Sequence, residues 1–369
     1  MAWFNQRVAG SIRGTSLDYY FLYYDGEVDG IDGALEGIID VLTLHSSRWR
    51  NLCLSVDPHT LERISGSMDL NQLLCLHLLV SSKGSSSFSA QKIIMKSKPF
   101  PTFLRLDNFS PKSIDIGLNN IMEANLSYLT TDDCAEVLRQ APALERFHVE
   151  KLQTPDGPTV HVDSSIIHPR IRSLGLPVEA INLLNMINVP TLEEWTQDAC
   201  GSTLPATAMV SLLQRSSCCL KILNLQRLSV GLNNFATLFQ ATPFLEHLEM
   251  NFMDRSNGVD DILVRIFHSP PVQSSSHESF LPRLQFLACT TCFSMNALFP
   301  WDRIPDLHRL GYRCSLTLKS YANASDTSDE TAMELLNLVD EGAKFLIFDS
   351  IEGGDFLENS RKRMGTEGR

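Results

Sequence analysis

The chain has no uninterrupted apolar run of about 18 residues, so no membrane-spanning helix is expected. Its start, Met1, Ala2, Trp3 and Phe4, lacks the basic and apolar regions of a secretory signal. Positive charge is scarce as well. Against 43 acidic side chains stand 31 lysines and arginines, a net charge of −12. That balance argues against a binder of phosphate backbones, which relies on clustered cations. The one basic run, Arg361, Lys362 and Arg363, reads as part of a solvated tail. Catalytic frames are missing too: there is no H-E-x-x-H, G-x-S-x-G, G-x-G-x-x-G or G-K-[ST]. The expectation is therefore a non-enzyme without cofactor or metal, acting on neither nucleic acid nor membrane.

Nine cysteines are an odd number, scattered along 369 residues. With no signal ahead of them they point to free thiols in a reducing compartment, cytoplasmic or nuclear. The sequons at Asn108, Asn125 and Asn323 are then expected to carry no glycan. A hydrophobic content of 43% with 20% charged residues fits a folded chain.

What the chain does have is a repeat. From Thr203 to Phe252 one unit occurs twice, a helical pattern followed by a strand with leucines at fixed offsets. Met209, Val210, Leu212 and Leu213 precede Leu220, Leu223 and Leu225 in the phase L-x-x-L-x-L. Phe235, Leu238 and Phe239 precede Leu245, Leu248 and Met250 about 25 residues on, a leucine-rich-repeat spacing. Carried outward, the phase takes in Leu17/Tyr20/Leu22, Trp49/Leu52/Leu54, Leu73/Leu76/Leu78 and, more weakly, Ile121/Ala124/Leu126. Leu144/Phe147/Val149 and Ile171/Leu174/Leu176 fit well, and Leu192/Trp195 fit until Gln197 breaks the third position. Leu284/Leu287/Cys289, Leu307/Leu310/Tyr312 and Ala343/Leu346/Phe348 complete the series.

Helical spacing returns between these strands, at Leu35/Ile38/Ile39/Leu42, after Asp132 or Asp133 as cap, at Ala180 to Met186 and at Asp260 to Phe267. Strands alternating with helices through short connections require a parallel sheet. The expected fold is α/β: a leucine-rich-repeat solenoid over residues 1–350, with a curved parallel sheet on the concave face and helices on the convex face. A polar tail follows at 351–369. Loops at Ser81 to Ser87, Ser269 to Ser276 and Ala322 to Glu330 interrupt the rhythm without dividing domains.

Several segments together resemble the leucine-rich-repeat F-box proteins of mushroom-forming fungi. They are HSSRWRNLCLSV (His45 to Val56), DDCAEVLRQAPALERFHV (Asp132 to Val149), LLQRSSCCLKILNL (Leu212 to Leu225), ATPFLEHLEM (Ala241 to Met250) and the terminal ENSRKRMG. The resemblance implies substrate recognition for a Skp1–cullin–F-box ubiquitin ligase, with the repeats holding a protein substrate. The family's F-box opens near an LP dipeptide and closes near V-C-x-x-W. Here Arg48, Trp49 and Arg50 resemble that closing element only superficially, inside a repeat strand, so no ligase-docking residues carry over. As given, the chain corresponds to the substrate-binding repeats and is not expected to bind Skp1.

Two metal-like patterns have plainer readings. Asp25, Asp29, Gly30 and Glu36 match four positions of a calcium loop, but Asp32 sits where an apolar residue belongs, and the segment reads as an acidic turn. Cys289 and Cys292 have ligand spacing with only Cys218 and Cys219 as conceivable partners; they read as small core residues. The candidate partner-binding residues lie between the repeat leucines, where alternation points side chains away from the core. They are Arg146, His148, Arg172, Glu193, Glu194, Lys221, Asn224, Glu246, His247, Glu249, His308 and Arg309. A stand-alone interaction protein without ligase role, and a hydrolase with a site outside known motifs, are the alternatives.

Overall fold

The computed structural model describes residues 17–22, 40–41, 43–56, 73–80, 98–153, 165–228, 235–253, 259–268, 280–291, 300–310, 317–322, 327–349 and 354–366. The calcium-like turn, the Leu35–Leu42 stripe, Cys292 and the serine-rich loops at 81–87 and 269–276 lie outside them. The chain forms two compact units, Met1–Leu174 with Met186–Val189, and Gly175–Asn185 with Pro190–Arg369.

In the first unit, strands β1 (Leu17–Leu22), β2 (Trp49–Val56), β3 (Cys75–Val80), β4 (Phe103–Asp107), β5 (Glu123–Leu129) and β6 (Arg146–Leu152) follow in order. Each pairs in parallel with the next. Short β7 (Ile166–Ile167) precedes β8 (Ser173–Pro177), and β9 (Ile187–Asn188) pairs with β7. The second unit holds β10 (Glu194–Asp198), β11 (Ile222–Leu228), β12 (His247–Phe252), β13 (Phe286–Thr291), β14 (Thr317–Ala322) and β15 (Lys344–Asp349), again parallel in sequence order. Leaving out the two-residue strands β7 and β9, strand starts recur at intervals from 20 residues (Phe103 to Glu123) to 39 (His247 to Phe286).

The leucine phase forms the core because side chains alternate along a strand. Leu223 and Leu225 of β11 lie in register with Leu248 and Met250 of β12, and all four are buried. The intervening Ile222, Asn224 and Gln226 are only partly covered. Helices close the buried side. Helix α1 (Thr131–Gln140) buries Cys134, Ala135, Val137 and Leu138. After the single turns of α2 (Ile181–Met186) come α3 (Ala206–Ser216), α4 (Phe235–Gln240), α5 (Val259–His268), α6 (Ile304–Leu310), α7 (Asp329–Asp340) and α8 (Phe356–Thr366). Thr130, not Asp132 or Asp133, caps α1: its hydroxyl accepts the Asp133 N–H, while Asp133 accepts from the Thr130 hydroxyl at 2.8 Å.

A proline turn sets where several strands begin. The N–H of Leu144, Leu245 and Leu284 each reaches back 3.1 Å to the carbonyl of Ala141, Thr242 and Leu281, across Pro142, Pro243 and Pro282. Proline presets φ for such a turn. The residue that closes it is the first leucine of the rung. A second backbone signature joins rungs: the Met122 carbonyl accepts from Glu145 and Arg146, and the Lys221 carbonyl accepts from Glu246 and His247.

Four rungs differ from the expected leucine phase. Strand β4 adds a rung to that series; Leu104 and Leu106 are buried in it, with buried Pro101 at the first rung position. Leu307 and Leu310 are helical, in α6, and the strand of that unit is β14, with Leu318 and Ser320 inward. In β15 the inward residues are Phe345 and Ile347, whereas Leu346 and Phe348 are 45% and 38% exposed. Finally, Gln197 does not break its rung; it is buried in the third position, in register with Leu225.

Candidate functional site

The face of the strands opposite the leucines is open, and its residues come into contact through the parallel register. In the first unit one row runs Cys53, His77, Arg105, Asn125 and His148 across β2 to β6. The row beside it runs Asn51, Cys75, Phe103, Glu123 and Arg146. Arg146 pairs with Glu123 at 2.6 Å, and Arg105 with Glu150 at 3.3 Å. Both ion pairs are partly solvated and hold side chains in place more than they stabilise the fold.

Cys53 and His77 form a pair that the sequence reading did not single out. The Cys53 thiol lies 3.1 Å from His77 Nδ1. Burial raises the thiol pKa against the lowering effect of Arg105. Burial and Arg105 together push the imidazole down to about 4, against Glu150. Both groups are therefore neutral near pH 7, and the imidazole tautomer sets which of the two donates. This is a hydrogen-bonded thiol rather than the thiolate–imidazolium pair a nucleophile needs. Both residues fill the gap of their L-x-L motif, and aligning Leu52/Leu54 with Leu76/Leu78 would have set them side by side.

The candidate residues divide by position. Arg146 and His148 on β6, Glu194 on β10, Asn224 on β11, and His247 and Glu249 on β12 lie on the open face. Arg172, Glu193, Lys221 and Glu246 stand just ahead of strands. The N–H of Arg172, Lys221 and Glu246 each donates at 2.8 Å to the carbonyl of Glu145, Glu193 and Lys221 in turn. In the second unit Lys221 also binds the Glu193 carboxylate at 3.0 Å, and Asn224 reaches Thr196 Oγ1 at 3.4 Å. The His247 ring lies 5.5 Å from that of Phe286. His308 and Arg309 do not join this face. They belong to α6, where His308 packs against Phe267 and Phe345 and Arg309 pairs with Glu334 at 3.8 Å.

A cleft of about 420 Å³ lies in the first unit beside α1, lined by Leu138, Arg139, Pro142 and residues 165–169. Its one imidazole, His168, donates from Nε2 to the Ala141 carbonyl at 2.9 Å, and burial lowers its pKa. The lining has no carboxylate, so no acid and base converge there. Among the described residues no three His, Cys, Asp or Glu side chains gather as metal ligands, and no helix is long and apolar enough to cross a membrane.

The fold and this face define an α/β protein of sequential parallel strands, one side packed under helices and the other open. Comparison with protein-family models, curated proteins and solved structures gives no match to the chain.

Proposed function

We propose that the chain is a leucine-rich-repeat solenoid that binds a protein partner on the open strand face, the face a curved sheet would present as concave. One observation carries the reading. Strand after strand pairs with its successor in parallel while the L-x-x-L-x-L residues go inward, leaving rows of polar and aromatic side chains in register on the other side. Such rows offer an extended surface rather than a pocket, which suits a macromolecule. The resemblance to F-box repeat proteins supplies the setting: recognition of a substrate for ubiquitin transfer, with no chemistry performed by this chain.

The test is photo-crosslinking from each side of the sheet. Benzoylphenylalanine at Glu249 on the open face should yield a protein adduct, and the same probe at Arg265 on the exposed side of α5 should not. Adducts from Arg265 alone would overturn the reading. Retention of purified Skp1 by a chain that includes upstream sequence tests the ligase setting separately.

A further inference from the structure

The open face of the second unit changes character toward its last two strands. At β11 the cations are neutralised locally: Lys221, just ahead of the strand, sits on Glu193, and Arg227 on Asp198. On β14 and β15 the open-face cations are Lys319 and Lys344, and neither has a carboxylate partner among the described residues. The chain as a whole carries a net charge of −12, and these two ammonium groups lie on neighbouring strands.

Apolar surface accompanies them. Lys344, Leu346 and Phe348 alternate along β15, so all three project to the same side, and all three are exposed. The register places Lys319 beside Leu346 and Thr317 beside Lys344. The Lys319 ammonium stands 5.8 Å from the centre of the Phe348 ring, within cation–π range. Burial of the alternate residues Phe345 and Ile347 makes this exposure a fixed property of the strand, since a one-residue slip would bury Leu346 and expose the core. Two partly exposed apolar side chains beside two ammonium groups offer a ligand both apolar contact and charge complementarity.

We infer that β14 and β15 form the docking site for an acidic peptide segment of the partner, one carrying aliphatic or aromatic side chains among its carboxylates. The inference rests on the open-face reading and narrows it to one end of the second unit. Carboxylates of the segment neutralise Lys319 and Lys344, and its apolar side chains cover Leu346 and Phe348. Neighbouring strands lie about 4.8 Å apart, so one short segment reaches all four residues.

The test uses the full chain and a fluorescein-labelled peptide of Glu and Asp interrupted by one Leu and one Phe, read by fluorescence anisotropy. Saturable binding is expected, weakened by added salt. Lys319→Glu with Lys344→Glu, and separately Leu346→Ser with Phe348→Ser, should each weaken it about tenfold or more, as loss of a complementary contact does. These side chains face solvent, and unchanged circular dichroism checks the fold. Equal binding of a peptide with Lys in place of its acids, or of one with Ser in place of Leu and Phe, overturns the inference. So does an affinity that neither double variant changes, or no binding at all. Loss of binding on Arg146→Glu and not on the lysine variants would overturn this site while leaving the open-face reading intact. Crosslinking confined to Arg265 would remove both.

Discussion

Replacing Gln197 by leucine should stabilise the protein. Gln197 is fully buried on β10, at the third rung position, beside Leu225 of the next strand. Its Nε2 reaches only the Asp198 carbonyl at 3.4 Å, and its Oε1 has no hydrogen-bond partner among the described residues. An unmatched buried acceptor costs about 1–3 kcal/mol, and a bond of that length returns about 0.5 kcal/mol at most. Leucine has nearly the same volume, removes the orphaned oxygen and extends the row of core leucines. The expected gain is about 1–2 kcal/mol. Ser320 shows why the argument is specific to Gln197: it also occupies a third rung position, but its hydroxyl donates to the Cys289 carbonyl at 2.6 Å. Urea unfolding followed by tryptophan fluorescence and far-UV circular dichroism measures the change as a higher midpoint at constant slope. A midpoint that stays put or falls in Gln197→Leu would show that the amide oxygen is satisfied, and the reasoning would be wrong.

Three further outcomes are expected. Leu223→Ala or Leu248→Ala, each fully buried and in register with the other, should cost about 2–5 kcal/mol in the same melts, and a loss under about 1 kcal/mol would refute the packing. Maleimide should label exposed Cys200 and Cys219 in the folded protein, as peptide mapping by mass spectrometry would show; Cys134 and Cys289, buried and with the latter's thiol pushed up to about 12, should react only after unfolding. Stability should fall as pH drops from 6.5 toward 4, because unfolded His77 takes up a proton near 6.5 that the folded ring refuses until about 4; the half-buried ring limits the loss to about 1 kcal/mol, and His77→Gln should reduce it.

The rungs that could be read from sequence are those where the leucine phase and the turn chemistry agree. At Leu144/Phe147/Val149 and Leu245/Leu248/Met250 a proline turn precedes the strand, polar residues alternate with apolar ones, and only one register is open. The misread rungs lack one of these signals. Ile304, Leu307 and Leu310 recur every three residues, which satisfies both a rung's first two positions and one face of a helix. Helix wins, and Pro305 is tolerated because it stands in the first turn. In β15 the run Phe345, Leu346, Ile347, Phe348 has no polar alternation, so the pairing of Leu318 with Phe345 decides which residues turn inward. Strand β4 carries Pro101 at the first rung position, so the leucine phase alone does not mark it. The open-face residues were legible as positions but not as neighbours, since Cys53 and His77 are 24 residues apart and meet only through the strand register.

The two faces of these strands also differ in what they contribute energetically. A buried rung leucine is worth about 2–5 kcal/mol on truncation, whereas an exposed ion pair such as Lys221 with Glu193 contributes about 0–1 kcal/mol. Folding therefore constrains the inward positions strongly and the open-face positions little. Paired charges on that face are compatible with a surface that only has to stay soluble. Lys319 and Lys344 beside Leu346 and Phe348 gain nothing from such pairing and leave apolar area in water. The core takes Phe345 and Ile347 from this strand and asks much less of Leu346 and Phe348. Leu346→Ser with Phe348→Ser should accordingly lower stability only slightly, by about 1 kcal/mol for the lost Lys319–Phe348 contact, while removing the acidic-peptide contact. A large loss of stability in that double variant would mean that these side chains belong to the packing, and the separation of a folding face from a binding face would fail at the strand where it matters most.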